Sequence, residues 1–221
     1  MNFAYPEVDN VFQTGNGKIP VLIAENRKLF CDIVTDIYNQ TAGLDGKSVL
    51  SENNKIISFS KTVDLTTSFI PFELNRKNLI SKIMGRIEEI SLREDNFEKT
   101  ANLIQQLEIY LGELSVDFPC GLDYNKINVG SILKGIGVSI NDESISLSEK
   151  FLNYMDMVCE FDCDKLFITV NMRNFISDDE TELFMHTALL KGFKLFMIES
   201  VSYKPNEYEA RYTVDEDLCG F

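Results

Sequence analysis

Tryptophan is absent from the 221 residues, and the only histidine is His186. One imidazole cannot build a multi-histidine metal centre. No nucleophile–base pair can be read around it either, and its neighbours Leu183, Phe184 and Leu189 mark it as a packing or surface residue of a helix. Positive charge is scarce: 21 Lys and Arg stand against 35 Asp and Glu, for a net charge of −14. Such a surface repels phosphate as a whole, so nucleic-acid binding requires the few basic residues to be clustered. The five cysteines are an odd number with no paired framework, which reads as free thiols in a reducing compartment. Cys159 and Cys163 are four apart and can share a helix face, but zinc would need thiols from far away in the chain. No apolar run approaches the roughly 20 residues that span a bilayer. The first ten residues, MNFAYPEVDN, have neither a basic nor an apolar segment, so no secretory leader and no membrane partner are expected, and the expected compartment is the cytoplasm.

A phosphate loop is also missing. GNGK at Gly15–Lys18 is the nearest approach, but it precedes an apolar strand instead of following one, and Ile19 stands where Ser or Thr is needed. It reads as a hairpin turn. The turn after that strand, Glu25-Asn-Arg-Lys28, has no glycine to let a backbone approach phosphate.

What is present organises around KLFITVNMRNFISDDE, residues 165–180. Leu166–Val170 form a short β-branched apolar run, the pattern of a strand buried on both faces. Asn171 ends it. Ser177 before Asp178, Asp179 and Glu180 is a helix cap followed by an acidic first turn. The helix runs to Leu190, Gly192 stops it, and Phe193–Ile198 is a second buried strand. Strand, helix and strand within about 30 residues make a parallel βαβ unit.

Upstream, Phe3, Tyr5 and Val8 suggest an opening strand, Ile19–Ala24 a buried strand, and Asn26–Gln40 an amphipathic helix. Ser48–Leu50 and Lys55–Phe59 read as a hairpin. Residues 75–118 differ: Leu79, Ile80, Ile83, Met84, Ile87 and Ile90 form the stripe of one long helix with Asn75 as its cap. Glu94–Asn96 is a connector, and Phe97 to Leu114 mark a second long helix. Together they make a helical hairpin. Val129–Gly135 is a short helix broken by Gly135 and Gly137, Ser148–Phe161 is another, and Tyr208–Asp217 alternate as an edge strand or a hairpin with residues near Val201. The expected fold is α/β with a mostly parallel sheet and an inserted helical arm. Residues 1–66 and 136–221 form the core, and residues 67–135 the arm.

Lys82, Arg86, Glu89 and Arg93 fall at i, i+4, i+7 and i+11, away from the apolar stripe of the first arm helix. Two readings stand: a solvated face of Glu–Arg pairs, or a phosphate-contacting face. No catalytic constellation accompanies them. Asn171 occupies the strand end where a nucleotide hydrolase of this topology holds magnesium with an acid. Asp178–Glu180 read as a cap, Asp215–Asp217 as a solvated tail, and Asp142 and Glu143 as a turn. Asp117, Asp123 and Asn125 lie where the arm rejoins the core, without the spacing of a calcium loop.

Taken together, MNFAYP, IPVLIAE, LDYNKINVGSILKGIGVSI, KLFITVNMRNFISDDE, FKLFMIES and YEARYTVDEDL resemble, in order and spacing, the small ring-forming adaptation proteins of type II-A CRISPR operons, in their short form. The resemblance implies a core similar to P-loop hydrolases without a working nucleotide site, and hence no enzyme. It also implies a homotetrameric ring that encloses double-stranded DNA and loads from its ends. Calcium would support that ring. Its role would be spacer acquisition beside the CRISPR integrase complex and the RNA-guided nuclease. DNA contacts are expected from Lys77, Lys82, Arg86, Arg93, Lys126 and Lys134. The calcium segment falls on Leu122–Lys126, with Asp117 nearby. Asp123 keeps a carboxylate, but Asn125 offers only an amide oxygen and Lys126 a positive charge, which weakens the implied site. The alternatives are a protein–protein adaptor of the adaptation complex and a degenerate ATP-binding protein.

Overall fold

The computed structural model describes every residue of the chain except Tyr124. Asn2–Ala4 (β1) and Val11–Gln13 (β2) are short strands, followed by Ile19–Ala24 (β3) and the helix Arg27–Thr41 (α1). Val49–Glu52 (β4) and Lys55–Ile56 (β5) form the expected hairpin, turned by Asn53 and Asn54 at φ 50° and 60°, a left-handed pair suited to a two-residue turn. A four-residue helix, Phe59–Thr62 (α2), leads into Val63–Thr66 (β6). Then come Lys77–Ser91 (α3), Glu94–Ser115 (α4), Val129–Ile136 (α5), Leu147–Cys159 (α6), Leu166–Val170 (β7), Asp178–Leu190 (α7), Lys194–Glu199 (β8) and Glu209–Val214 (β9).

The strands make two sheets. One is antiparallel, in the order β2-β1-β4-β5; the other is fully parallel, in the order β6-β7-β8-β3-β9. Every residue of β3 and of β7 is buried, as continuous apolar runs in a doubly covered sheet require. Successive residues point to opposite faces. On one face Leu22, Ile168 and Phe196 pack with Ile33 of α1 and with Phe3 and Phe12 of the small sheet. The rings of Phe3 and Phe12 each lie 4.9 Å from that of Phe196. On the other face Phe167 meets Tyr154 of α6, and Phe151 meets Phe184 of α7. The chain divides into two compact units: Met1–Phe72 with Glu143–Phe221, and Glu73–Asp142.

Several expectations are corrected. Thr14–Lys18 is not a hairpin turn, because β2 and β3 belong to different sheets; β3 is paired on both sides, by β8 and β9. Strand β6, unforeseen, forms one edge of the parallel sheet. At the other edge β9 runs parallel to β3, so the hairpin with Val201 does not form. The connection Ser200–Tyr208 must instead carry the chain from the end of β8 back to the start of β9. In the helical unit Asn75 is not a cap. Arg76 holds that place, and the Asn75 amide accepts from Ile140 N at 2.7 Å and donates to Ile140 O at 3.3 Å. Glu94–Asn96 is no connector: acidic Glu94 and Asp95 suit the positive end of a helix and begin α4. Of the two glycines expected to break α5, Gly135 lies inside the helix, whereas Gly137 is its left-handed stop, as expected, at φ 68°.

Candidate nucleic-acid interface

Helix α3 is amphipathic, and the only member of its stripe that is fully buried is Leu79. Lys82 and Arg86 stand one turn apart on its exposed side. Arg86 Nη1 meets Glu89 Oε2 at 3.1 Å, a solvated i,i+3 pair worth little energy. Lys77 is exposed in the first turn, but five residues before Lys82 puts it about 140° around the helix, away from the Lys82–Arg86 face. Arg93 leaves the stripe altogether. The helix ends at Ser91, and Arg93 is the residue before α4. That corner is tied by side chains of α4, since Asn96 Nδ2 donates to Ile90 O and Thr100 Oγ1 to Ser91 O, each at 3.1 Å. These bonds satisfy carbonyls that a helix C-terminus leaves open.

Lys126 is exposed in the irregular chain before α5, and Lys134 is exposed in the last turn of α5. An Asn128–Ser131 capping box starts α5. Gly130, buried there, lets α3 come close: a Cβ at this position would sit 1.7 Å from Glu88 Oε1. Of the six basic residues, then, Lys82 and Arg86 share a face. Lys77 and Arg93 do not join it, and Lys126 and Lys134 lie on other segments.

Asp117, Asp123 and Asn125 are all exposed in the chain between α4 and α5, outside helix and strand. Tyr124, inside the same segment, lies outside the described residues. Calcium takes six to eight oxygen ligands. Among the described residues no three His, Cys, Asp or Glu side chains come together as a group able to hold a metal ion. Two carboxylates that do not come together with a third acid, one amide and an adjoining lysine do not fit a calcium site.

The strand ends, where open parallel sheets bind ligands, are filled by the protein's own side chains. After β3, Asn26 Oδ1 caps α1 by accepting from Leu29 N at 3.0 Å, and its Nδ2 donates to Glu216 O at 2.8 Å. After β7, Asn171 stands at φ 55°, a left-handed conformation asparagine tolerates. Its Oδ1 accepts from Ser200 N at 2.8 Å and Ser200 Oγ at 2.9 Å, tying the ends of β7 and β8 together.

Sequence reasoning missed the charged cluster beside it. Arg173, Glu199 and Glu209 are all buried. Arg173 Nη1 reaches Glu209 Oε2 at 3.2 Å, and its Nη2 donates to Asp178 Oδ1 at 2.9 Å and Lys204 O at 2.8 Å. Arg211 Nη2 contacts Glu209 Oε1 at 2.6 Å, a charge contact without hydrogen-bond alignment. The readable signal was a lone acid ending the apolar run KLFMIE.

A five-stranded parallel sheet whose strand ends are engaged by the protein's own side chains, together with a second unit of amphipathic helices, defines a mixed α/β protein. The family model described as CRISPR-associated protein (Cas_Csn2) matches residues 40–218, and the chain belongs to this family, the type II-A adaptation family. A comparison with curated proteins finds no match. Among the described residues no helix is long and apolar enough to cross a membrane.

Proposed function

We propose that this chain is a non-enzymatic, double-stranded-DNA-binding protein that assembles into a homotetrameric ring, loads onto DNA ends and supports spacer acquisition beside the CRISPR integrase complex and the RNA-guided nuclease. Family membership supports the CRISPR setting. The observation that carries the DNA reading is the exposed Lys82–Arg86 face of α3 in a protein of net charge −14. Local positive charge survives there against the overall balance, as phosphate contact requires. Self-assembly is supported by α4, which has no buried residue over its 22 positions while Phe97, Leu103, Leu107, Ile109, Tyr110 and Leu114 lie exposed. A helix of that kind needs a partner to cover it. The core is P-loop-like in layout only: the all-parallel sheet supports the likeness, and the engagement of Asn171 by Ser200 supports the absence of nucleotide chemistry.

The test is binding to equal lengths of linear and closed-circular duplex at low salt. Retention of linear DNA alone, with affinity falling steeply as salt rises, is the expected result. Equal binding to both forms overturns the threading ring. No binding to either form favours the adaptor, a reading the acidic surface also suits. Stabilisation by magnesium-ATP in a thermal melt would restore the degenerate nucleotide site.

A further inference from the structure

The connection Ser200–Tyr208, between β8 and β9, is a strap held down from beneath. Asn171 holds Ser200, Arg173 donates to Lys204 O at 2.8 Å, and the Arg173 guanidinium lies 4.7 Å from the centre of the Tyr203 ring. Tyr203 Oη also bonds Asn174 Oδ1. Arg173 is therefore the post to which the middle of the strap is tied.

The charges around this post can be counted. Arg173 and Arg211 are the two guanidiniums. Glu209 faces both, and Asp178, at the start of α7, faces Arg173. Two positive charges meet two negative ones, and the terminal nitrogens of Arg173 are consumed by Glu209, Asp178 and Lys204 O. Glu199 is a third carboxylate in the same place and is surplus. It is fully buried; its Oε1 accepts the backbone N–H of Arg173 at 3.3 Å, the Met172 N–H also faces the carboxylate, and among the described residues its Oε2 has no hydrogen-bond partner. From β3 the residue in register with it is Ile23, which carries no charge, and from the strap it faces the Tyr203 phenol. A buried carboxylate without a counter-ion is costly when ionised.

We infer that Glu199 is the trigger of a pH-sensitive latch: neutral, it leaves Arg173 to hold the strap closed, and ionised, it draws Arg173 away from Lys204 and Asp178 and lets the strap open. Burial pushes the Glu199 carboxyl from its ordinary 4.5 up to about 7, with Glu209 adding to the rise and the Arg173 and Met172 N–H groups and the Arg173 charge opposing it. The closed strap thus binds a proton that the open, solvated strap releases. Closure is favoured at mildly acid pH and loses ground as pH rises toward and through 7.

Amide hydrogen exchange of a peptide covering residues 200–208 tests this, with rates corrected for intrinsic base catalysis. In the wild-type protein the protection of these amides should fall about tenfold between about pH 6 and pH 8.5, while β7 amides stay protected; one pKa unit of displacement corresponds to that factor. Glu199→Gln should make strap protection independent of pH. Asp178→Asn, at a half-exposed helix start, removes a competing carboxylate and should move the wild-type transition to lower pH; it reads the latch even where Glu199→Gln fails to fold. A flat wild-type profile, a Glu199→Gln profile that matches wild type, or an unmoved midpoint in Asp178→Asn overturns the latch.

Discussion

The sheet unit and the helical unit solve the problem of burial in opposite ways. In the sheet unit β3 and β7 are buried along their whole length, and both faces of the sheet are covered from within the unit. In the helical unit α3 fully buries only Leu79, and α4 buries nothing. The same amphipathic design thus has its apolar side filled in one unit and left open in the other. One unit encloses its large apolar side chains, and the other leaves those of α4 exposed.

The contrast can be broken by paired truncations. Phe167→Ala, in the middle of β7, removes a fully buried ring that contacts Tyr154 and Phe193, and should cost about 3–5 kcal/mol of unfolding free energy. Leu107→Ala, on α4 and 41% exposed, should cost well under about 1 kcal/mol in the dissociated chain. Its effect should appear instead as a smaller particle in light scattering at equal concentration. Chemical denaturation of both variants measures the difference. Equal losses would mean that α4 is packed in solution as tightly as the sheet.

A smaller effect concerns the closure of the helical unit. Asn75 binds both polar groups of Ile140 across 65 residues, as a backbone partner in a sheet would. Asn75→Ala leaves those groups to water, since the site is exposed, and should cost about 1 kcal/mol. Exchange of the Ile140 amide should speed up, while that of β8 amides stays unchanged. If both accelerate together, the two units unfold as one and the comparison fails.

The exposed basic residues of α3 supply a further test. Lys82→Ala and Arg86→Ala should each reduce the slope of log affinity against log salt by about one for linear duplex, without moving the melting temperature. Lys77→Ala should change the slope less, because it lies around the helix from that face. An equal loss for all three would show that the whole circumference of α3 meets the phosphates.

The two units were also unequally legible. β7, α7 and β8 could be read because several local signals agreed: continuous apolar runs, and Ser177 as a cap before an acidic first turn, which the structure completes as a capping box with Glu180. β6 escaped because VDLT is four residues long, carries an acid, and follows directly on a one-turn helix. The pairing of β9 with β3 escaped because parallel partners lie far apart in sequence and turn chemistry does not specify them. In the helical unit the apolar periodicity found both long helices, but the basic stripe was carried two residues past the end of α3 at Ser91, to Arg93. Glu94 and Asp95, as acids favouring a helix start, held the information that would have ended it. The cluster of Arg173, Glu199 and Glu209 needed tertiary structure, since its members come from a turn and two strands that only the sheet brings together.

The finest test compares two clamps of similar design, one in each unit. Asp36 of α1 accepts from Lys47 N at 2.7 Å, Ser48 N at 2.8 Å and Gln40 Nε2 at 2.9 Å, and so fixes the chain that leads into β4. Asn75 does the corresponding work in the helical unit with a neutral amide. Burial alone would raise the Asp36 carboxyl, but the hydrogen bonds from Ser48, Lys47 and Gln40 outweigh it and hold the group below its ordinary 3.8. A carboxylate depressed in the folded state contributes stability that is complete above its unfolded pKa and is lost as pH falls through the folded one. Acidification below about pH 4 should therefore loosen the Lys47–Ser48 amides in the wild-type protein. Asp36→Asn keeps a carbonyl acceptor that does not titrate, so those amides should be somewhat weaker at neutral pH and should lose nothing further in acid. The Ile140 amide, held by Asn75, should be indifferent to the same change. Exchange measured at a few acid pH values, corrected for intrinsic rates, resolves all three; a parallel acid loss at Ile140 would mean that the helical unit depends on carboxylates after all.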